Sequence, residues 1–314
     1  MKKNDKIFIA GHRGMVGSAL VRTLKEKGYS NLALRSHLEL DLTVQEKVYT
    51  FFKEEHPNYV FLAAAQVGGI LANTTYRAEF IYSNLAIQNN VLDAAWKYNA
   101  KRLMFLGSSC IYPKHCPQPI KESYLLTGPL ETTNESYAIA KIAGIKTCEA
   151  YNYQYKTDYV TVMPTNLFGP NDNFEPETSH VMPALIQKIH QAKISKAKHV
   201  TIWGTGSPKR EFLHVNDMAS ACVFLLEKES FKDIINVGSG FDLTIRELAE
   251  MICKIIGFTG ELNFDTSKPD GPPRKLLDIS RLQSLGWQPK FILEDSIAST
   301  YSWFLENYKT IKAP

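Results

Sequence analysis

Short apolar runs alternate with longer segments of helical periodicity through the first half of the chain. "KIFIA" (6–10), "LALR" (32–35), "YVFLAAA" (59–65), "RLMFLG" (102–107) and "DYVTVMP" (158–164) have strand length and predict five strands. Apolar positions three and four apart predict helices over 18–27, closed by Gly28, and over 43–55, ending before Pro57. The same spacing predicts helices over 84–98 and 135–155. Near-continuous apolar strands alternating with helices predict parallel βαβ units, and so an α/β fold with a Rossmann-type doubly wound sheet covered on both faces.

Past Pro164 the texture changes. "PTNLFGPNDNFEPETSH" (164–180) reads as loop and is too long for a mere connector. A helix from about Met182, a strand "VTIWG" (200–204) and a loop "TGSPKREFLHVND" (205–217) follow. After them come a helix over 218–228, a strand "IINVG" (234–238), a helix over 245–256 and the segment "KPDGPPRKLLD" (268–278). This predicts two domains. Residues 1–170, with return segments from about 211–240, form the cofactor-binding domain, and 171–314 form a smaller, discontinuous α/β substrate domain over its mouth.

Composition narrows the function. With 44% hydrophobic and 22% charged residues in 314, the chain has the balance of a core-forming globular protein. A net charge of +4 with no clustered basic stripe speaks against nucleic-acid binding, and "KISKAKH" (193–199) reads as a solvated helix end. No secretory apolar region and no apolar run of ~20 residues is seen, so neither membrane association nor export is expected, and a cytoplasmic setting is. Cys110, Cys116, Cys148, Cys222 and Cys253 contain no CxxC pair, which predicts reduced thiols and no metal site. Cys148, Cys222 and Cys253 fall in helical patterns as small core residues.

The chemistry begins with "AGHRGMVGSAL". Gly11, Gly14 and Gly17 follow the first strand and open a helix, the context in which glycines let a backbone approach a pyrophosphate and a helix N-terminus faces it. The second strand ends in Arg35 rather than in the carboxylate an NAD site places there. With Arg13 in the glycine loop, it offers guanidinium groups to a 2′-phosphate and favours NADP(H). Solvated surface arginines are the alternative. Asp41, in "ELDLT", is a candidate partner for the adenine amino group, and His37 is a weaker phosphate ligand than an arginine in its place.

Two further stretches carry reactive groups. "YAIAK" sets Tyr137 and Lys141 on one helix face, where an ammonium is expected to lower the phenol toward neutrality. "FLGSSCIYP" (105–113) puts Ser108, Ser109 and Cys110 at a strand end. An extended chain beyond Gly107 turns Ser108 and Cys110 the same way and Ser109 aside. Cys110 is then packing, a redox handle or a proton-transfer group.

A nucleotide loop, a serine-bearing strand end and YxxxK together resemble the extended branch of the short-chain dehydrogenase/reductase superfamily, which acts on nucleotide sugars. "GHRGMVGSA", "LAAA" (62–65), "GSSCIYP", "YAIAKIAGIK", "MPTNLFGPNDNF", "REFLHVND" and "KPDGPPRKLLD" stand nearly as in one family of it, from Lys6 to about Asn307. That family comprises the 3,5-epimerase-4-reductases that turn GDP-4-keto-6-deoxy-D-mannose into GDP-L-fucose. The resemblance implies NADP(H), that sugar nucleotide as substrate and a homodimer packed through the helices around 84–98 and 135–155. It implies Ser108, Tyr137 and Lys141 as the reductive group, Cys110 as the base and His180 as the partner acid. Cofactor contacts are implied for His12, Met15 and Val16, for Ala64 and Leu106, and for Gly107, Ser108 and Ser109. Tyr137, Lys141, Pro164, Thr165, Asn166, Leu167 and His180 complete that set. Lys188, Trp203, Arg210 and Asp270 are implied on the substrate side, though Trp203 reads equally as core and Lys188 as a solvated charge. A regulator that senses nicotinamide without turnover would be expected to lose the Tyr-Lys pair, which this chain keeps.

Overall fold

The computed structural model describes residues 1–175, 178–228, 231–268 and 270–311, so Pro269 of "KPDG" and Pro176–Glu177 of the 164–180 segment lie outside the described residues. The chain opens with β1 (Ile7–Ala10), α1 (Met15–Glu26), β2 (Leu32–Ala33), α2 (Gln45–Glu55) and β3 (Tyr59–Leu62). It continues through α3 (Ile70–Thr75), α4 (Arg77–Lys97), β4 (Arg102–Leu106), α5 (Glu135–Tyr155) and β5 (Tyr159–Pro164). Then follow β6 (Asn166–Phe168), α6 (Val181–Ile194), β7 (His199–Trp203), β8 (Lys209–His214), α7 (Val215–Glu227) and β9 (Ile234–Val237). The last elements are β10 (Asp242–Thr244), α8 (Ile245–Ile256), β11 (Glu261–Asp265), β12 (Arg274–Lys275), α9 (Ser280–Ser284) and α10 (Leu293–Ile311).

Six strands form one parallel sheet in the order β2-β1-β3-β4-β5-β9. β1, β3, β4, β5 and β9 are buried at every position, which is why their sequences are predominantly apolar without alternation, with Arg102, Thr161 and Asn236 as buried polar exceptions. Phe8, Val60, Leu103 and Phe105 face α2, α4 and α5 on one side, while Ile7, Ile9, Phe61 and Met104 face α1 and α7 on the other. Because β2 and β3 leave β1 in opposite directions, a crevice opens at the C-terminal ends of β1 and β3, where open α/β sheets bind ligands.

The second region is built on β8, which pairs with β10, β12 and β6, and on the parallel pair β7–β11. Its core gathers Phe168, Phe174, Ile186, Phe212, Leu248, Ile252 and Phe304. α8 is delimited by its own sequence: Thr244 and Glu247 form a reciprocal capping box, and Gly257 ends the helix at a left-handed φ of +73°.

Several boundaries differ from the sequence reading. "REFLHV", expected in a loop, is β8, because its buried Glu211 and His214 break the apolar pattern without leaving the strand. Helix α7 accordingly starts at Val215, and α1 starts inside the glycine loop at Met15. β2 shrinks to two residues, and β6, β10, β11 and β12 are short strands that pattern alone did not mark. α3 also went unmarked, and α4 begins a full two turns before Asn84.

Candidate active site

The glycine loop is dictated by close approach. Gly11 holds φ +82°, and a Cβ there would stand 2.8 Å from the Cα of Ala64 at the end of β3. A Cβ on Gly17 would lie 2.6 Å from the carbonyl carbon of Gly11. Gly14 faces open space apart from Gly11 O, 3.5 Å from its Cβ position. It is the N-cap of α1, with no side-chain cap and no acidic residue in the first turn. The N–H groups at Met15, Val16 and Gly17 therefore meet no competing carboxylate, the arrangement a bound pyrophosphate needs. His12 adds a buried Nδ1 with no hydrogen-bond partner among the described residues. Burial, and then Arg13, lowers its pKa.

At the end of β2 the Arg35 guanidinium is already engaged. It pairs with Glu55, lies 5.5 Å from the Phe51 ring centre and donates to Leu34 O at 2.9 Å. Lys6 also holds Glu55, at 2.9 Å. Glu39, which the sequence reading passed over, accepts from the Ser36 N–H and hydroxyl at 2.7 Å each, and Arg35 and Arg13 help hold its carboxyl low. Asp41 accepts from Thr43 N at 2.9 Å and Thr43 Oγ1 at 2.7 Å through one oxygen, so much of its acceptor capacity goes to starting α2. His37 is largely solvent-exposed, its Nδ1 4.0 Å from Asp41.

The reactive groups meet at the end of β4. Gly107 N donates to Val162 O at 2.8 Å, and Ser108 follows in extended conformation. The chain does not stay extended as expected: Ser109–Ile111 is a 3₁₀ turn, closed by Cys110 N donating to Ser108 Oγ at 3.2 Å. Ser109 is buried by that turn, and Cys110 still stands beside Ser108, through curvature rather than alternation. Tyr137, in the first turns of α5, shares a hydrogen bond with Ser108. Lys141 is buried and donates to Leu106 O at 2.8 Å, its Nζ 5.8 Å from the Tyr137 ring centre and 4.9 Å from that of Phe105.

The electrostatics reverse one expectation. Tyr137 is pushed up, by burial first and by Cys110 second, with Ser108 opposing. Lys141, itself pushed down to about 8 by burial, does not offset this. Its ammonium is aimed at a carbonyl, and the expected lowering of the phenol is absent. Tyr137 therefore keeps its proton and is a donor in this state.

His180 is the N-cap of α6 and its pKa is lowered by desolvation and then by Lys275. The same Lys275 donates to Cys110 Sγ at 3.7 Å, which brings cysteine and histidine around one cation. The residue before His180 is fixed from β3's side: Gly69 N donates to Thr178 O at 2.7 Å, and a Cβ on Gly69 would lie 2.6 Å from Ser179 O. Neither "QVGG" nor Lys275 was singled out from sequence, although Lys275 stands inside the quoted "KPDGPPRKLLD". Pro164 closes β5; beyond it Thr165 N donates to Val237 O at 3.0 Å, and Thr165 Oγ1 and Asn166 Nδ2 donate to Glu211 O at 3.2 and 2.8 Å, ahead of Leu167.

On the substrate side, Arg210 pairs in register with Lys275 and donates to Lys209 O at 2.7 Å and Pro272 O at 2.6 Å. Asp270 accepts from Thr205 N at 2.9 Å and Thr205 Oγ1 at 2.7 Å. Trp203 is 67% exposed, so it is not core, and Lys268 lies 5.6 Å from its ring centre. Lys188 donates to Thr201 O on the same strand at 2.8 Å. Elsewhere, His214 caps α7 by accepting from Asn216 N, and His115 stays exposed beside a half-buried Cys116. No group of three or more metal-ligating side chains is present among the described residues.

A crevice at the switch point of a parallel sheet, with a glycine loop and a Ser-Tyr-Lys cluster, defines a dinucleotide-dependent enzyme fold. The chain belongs to the NAD dependent epimerase/dehydratase family, whose profile matches residues 7–238. It is 60% identical over 305 residues to GDP-L-fucose synthase 1 of Arabidopsis thaliana, covering 97% of this chain and 94% of that one. Among solved structures it is similar to a GDP-L-fucose synthetase from Naegleria fowleri bound to NADP, with TM-score 0.92 and 29% identity over 99% of this chain and 95% of that one. It is also similar to a GDP-mannoheptose C4 reductase from Campylobacter jejuni with NADP bound, with TM-score 0.89 and 43% identity over 97% and 99%.

Proposed function

We propose that this protein is an NADPH-dependent 3,5-epimerase and 4-reductase that converts GDP-4-keto-6-deoxy-D-mannose into GDP-L-fucose. One observation carries the reading: the thiol of Cys110 shares a strand-end turn with Ser108 and stands beside Tyr137. A ketone reductase needs a hydride and a proton donor. A thiol aimed at the same substrate adds a base for the carbons that flank the ketone.

The residues divide the work. The glycine loop and the N-terminus of α1 hold the pyrophosphate of the cofactor, and Arg13 and Arg35 favour its 2′-phosphate. NADPH, when bound, supplies the hydride that reduces C4. Lys188, Trp203, Arg210 and Asp270 recognise the GDP-sugar. The protons at C3 and C5 are acidified by the ketone between them. Cys110 takes each onto sulfur, the C–H pair enters the enolate, and Ser108 and Tyr137 hydrogen-bond the O4 oxyanion. His180 returns a proton to carbon from the opposite face. Tyr137, which holds its own proton, gives it to O4 in the final reduction.

Residues 1–170 with return segments from about 211–240 make the cofactor domain, and 171–314 make the discontinuous substrate domain. The place of β9 in the six-stranded sheet supports the return. A homodimer through α4 and α5, which leave Tyr82, Ile139 and Tyr153 exposed, and a cytoplasmic location belong to the same reading. No described helix is long and apolar enough to cross a membrane.

The test is turnover in D₂O. GDP-4-keto-6-deoxy-D-mannose and NADPH should give GDP-L-fucose carrying solvent deuterium at C3 and C5. Formation of an unepimerised 6-deoxy sugar would reduce the protein to a C4 reductase, and NADPH binding without turnover would make it a sensor.

A further inference from the structure

β12 is only two residues long, yet its placement is fixed on every side. Lys275 pairs with Arg210 of β8, Leu276 N donates to Gln118 Oε1 at 2.9 Å, and Ile120 N donates to Leu276 O at 2.7 Å. Leu277 N donates to Glu211 Oε2 at 3.0 Å. Glu211 is fully buried, and its other oxygen accepts from Gly240 N at 2.7 Å and lies 3.5 Å from Ser239 Oγ. Its backbone oxygen takes the Thr165 and Asn166 hydrogen bonds already described. A buried carboxylate held mainly by backbone N–H groups is costly, and burial does push this one upward. An apolar side chain would fill the space without that cost, but it could not set the strand.

The outcome of this fixation is the position of one ammonium group. Lys275 Nζ is 3.7 Å from Cys110 Sγ, and it is the charged group that bears on the His180 imidazole. Around Cys110 the facing groups are Ser108 of its own turn, Tyr137 of α5 and Lys275 of β12. Lys275 is the cation among them.

We propose that Lys275 is a further catalytic residue of the epimerisation, held against Cys110 by Glu211 as a positioning residue. The inference rests on the epimerase reading of Cys110 and His180. In that step an S–H bond forms as a C–H bond breaks, the electron pair passes into the enolate, and an imidazolium N–H later returns a proton to the carbon. Lys275 neither gives nor takes a proton. Its ammonium faces the sulfur that takes the proton, 3.7 Å away, and its charge stands against that atom through the transfer.

The experiment follows deuterium incorporation at C3 and C5 in D₂O, the ratio of epimerised to unepimerised product, and the rate of Cys110 alkylation by iodoacetamide. Lys275→Met should slow incorporation and alkylation by about tenfold or more, since charge-assisted contacts are the strong ones. The product should shift toward the unepimerised sugar, with NADPH binding, followed by fluorescence, retained. Lys275→Arg should recover part of both rates. Glu211→Gln should move them in the same direction by a smaller factor. Lys275→Gln carries the same test should the methionine variant prove unstable. Incorporation and alkylation at the wild-type rate in Lys275→Met or Lys275→Gln would overturn the inference. Wild-type protein that incorporates no deuterium would overturn the epimerase reading, and this inference with it.

Discussion

The ammonium of Lys141 donates a 2.8 Å hydrogen bond to the carbonyl oxygen of Leu106, the last residue of β4. That bond ties α5 to the strand end that carries Ser108 and Cys110, and it buries a charge. Burial lowers Lys141 to about 8, well below its ordinary range. Above that value the ammonium becomes a neutral amine and its hydrogen bond to Leu106 O, which ties Tyr137's helix to the strand end, weakens, so reduction should slow as pH rises through about 8. Lys141→Met should be slow throughout, without that inflection, in a kcat profile against pH. Stability gives a second check with its own sign. Between about 8 and the unfolded value of 10.5 the unfolded chain binds more protons, so wild type gains stability with pH relative to Lys141→Met. Urea unfolding at the two ends of that window measures the gain; a constant difference would contradict the shift.

Tyr137 is the complementary case. Burial and Cys110 hold the phenol in its protonated form, with Ser108 as its hydrogen-bond partner. Tyr137→Phe keeps the ring and removes only the proton donor, so NADPH oxidation should fall by about 10²–10⁴-fold. Fluorescence titration should still show NADPH binding. Deuterium exchange into the substrate should survive in part, because Ser108 remains to bond O4. Unchanged oxidation would remove Tyr137 from the reductive step.

How much of this was legible beforehand depended on whether a feature was local. The glycine loop is local: strand, turn and helix are contiguous, and Gly11 and Gly17 are required by contacts within a few residues or with the adjacent strand end. β1 and β3 were legible because burial on both faces leaves no polar interruption in them. β8 was hidden because two of its buried positions are Glu211, whose partners lie on distant segments, and His214, which caps the helix that follows. Lys275 was hidden for the same reason: its significance comes from Cys110, 165 residues away. The 3₁₀ turn at Ser109 followed from a single side-chain acceptor on Ser108, which no periodicity announces.

Arg35 carries the cofactor preference in the proposed reading, and its ties make the test clean. Glu55 holds one arm of the guanidinium, but Glu55 keeps Lys6 at 2.9 Å when Arg35 is removed. Arg35→Ala should therefore leave stability nearly unchanged. A hydrogen bond to a charged group contributes about 1.5–3 kcal/mol, so NADPH affinity should fall by about 10–100-fold while NADH affinity is unmoved. Parallel titrations with the two cofactors read the ratio directly. Equal losses for both would mean that Arg35 supports the loop rather than the phosphate.

Arg102 tests the scaffold instead of the chemistry. It is buried at the start of β4, where its Nε meets Asp158 at 2.9 Å. Nη1 donates to Leu226 O at 2.6 Å, Lys228 O at 3.0 Å and Leu225 O at 3.3 Å, and Nη2 donates to Phe231 O at 2.6 Å. The guanidinium thus closes the C-terminal end of α7, sharing Leu225 O with the Lys228 N–H and Lys228 O with the Phe231 N–H. Arg102→Met would leave Asp158 without this partner and remove the guanidinium donors from Leu226 O and Phe231 O, a loss of about 3–5 kcal/mol by analogy with broken buried pairs. Arg102→Lys should recover little, because one ammonium cannot span both the carboxylate and the fan of carbonyls. Denaturant unfolding of the three proteins checks this. The folded fraction of each variant should still bind NADPH, since the glycine loop lies at the opposite end of the sheet's strands. A lysine variant as stable as wild type would show that charge alone, and not the planar fork, holds α7 in place.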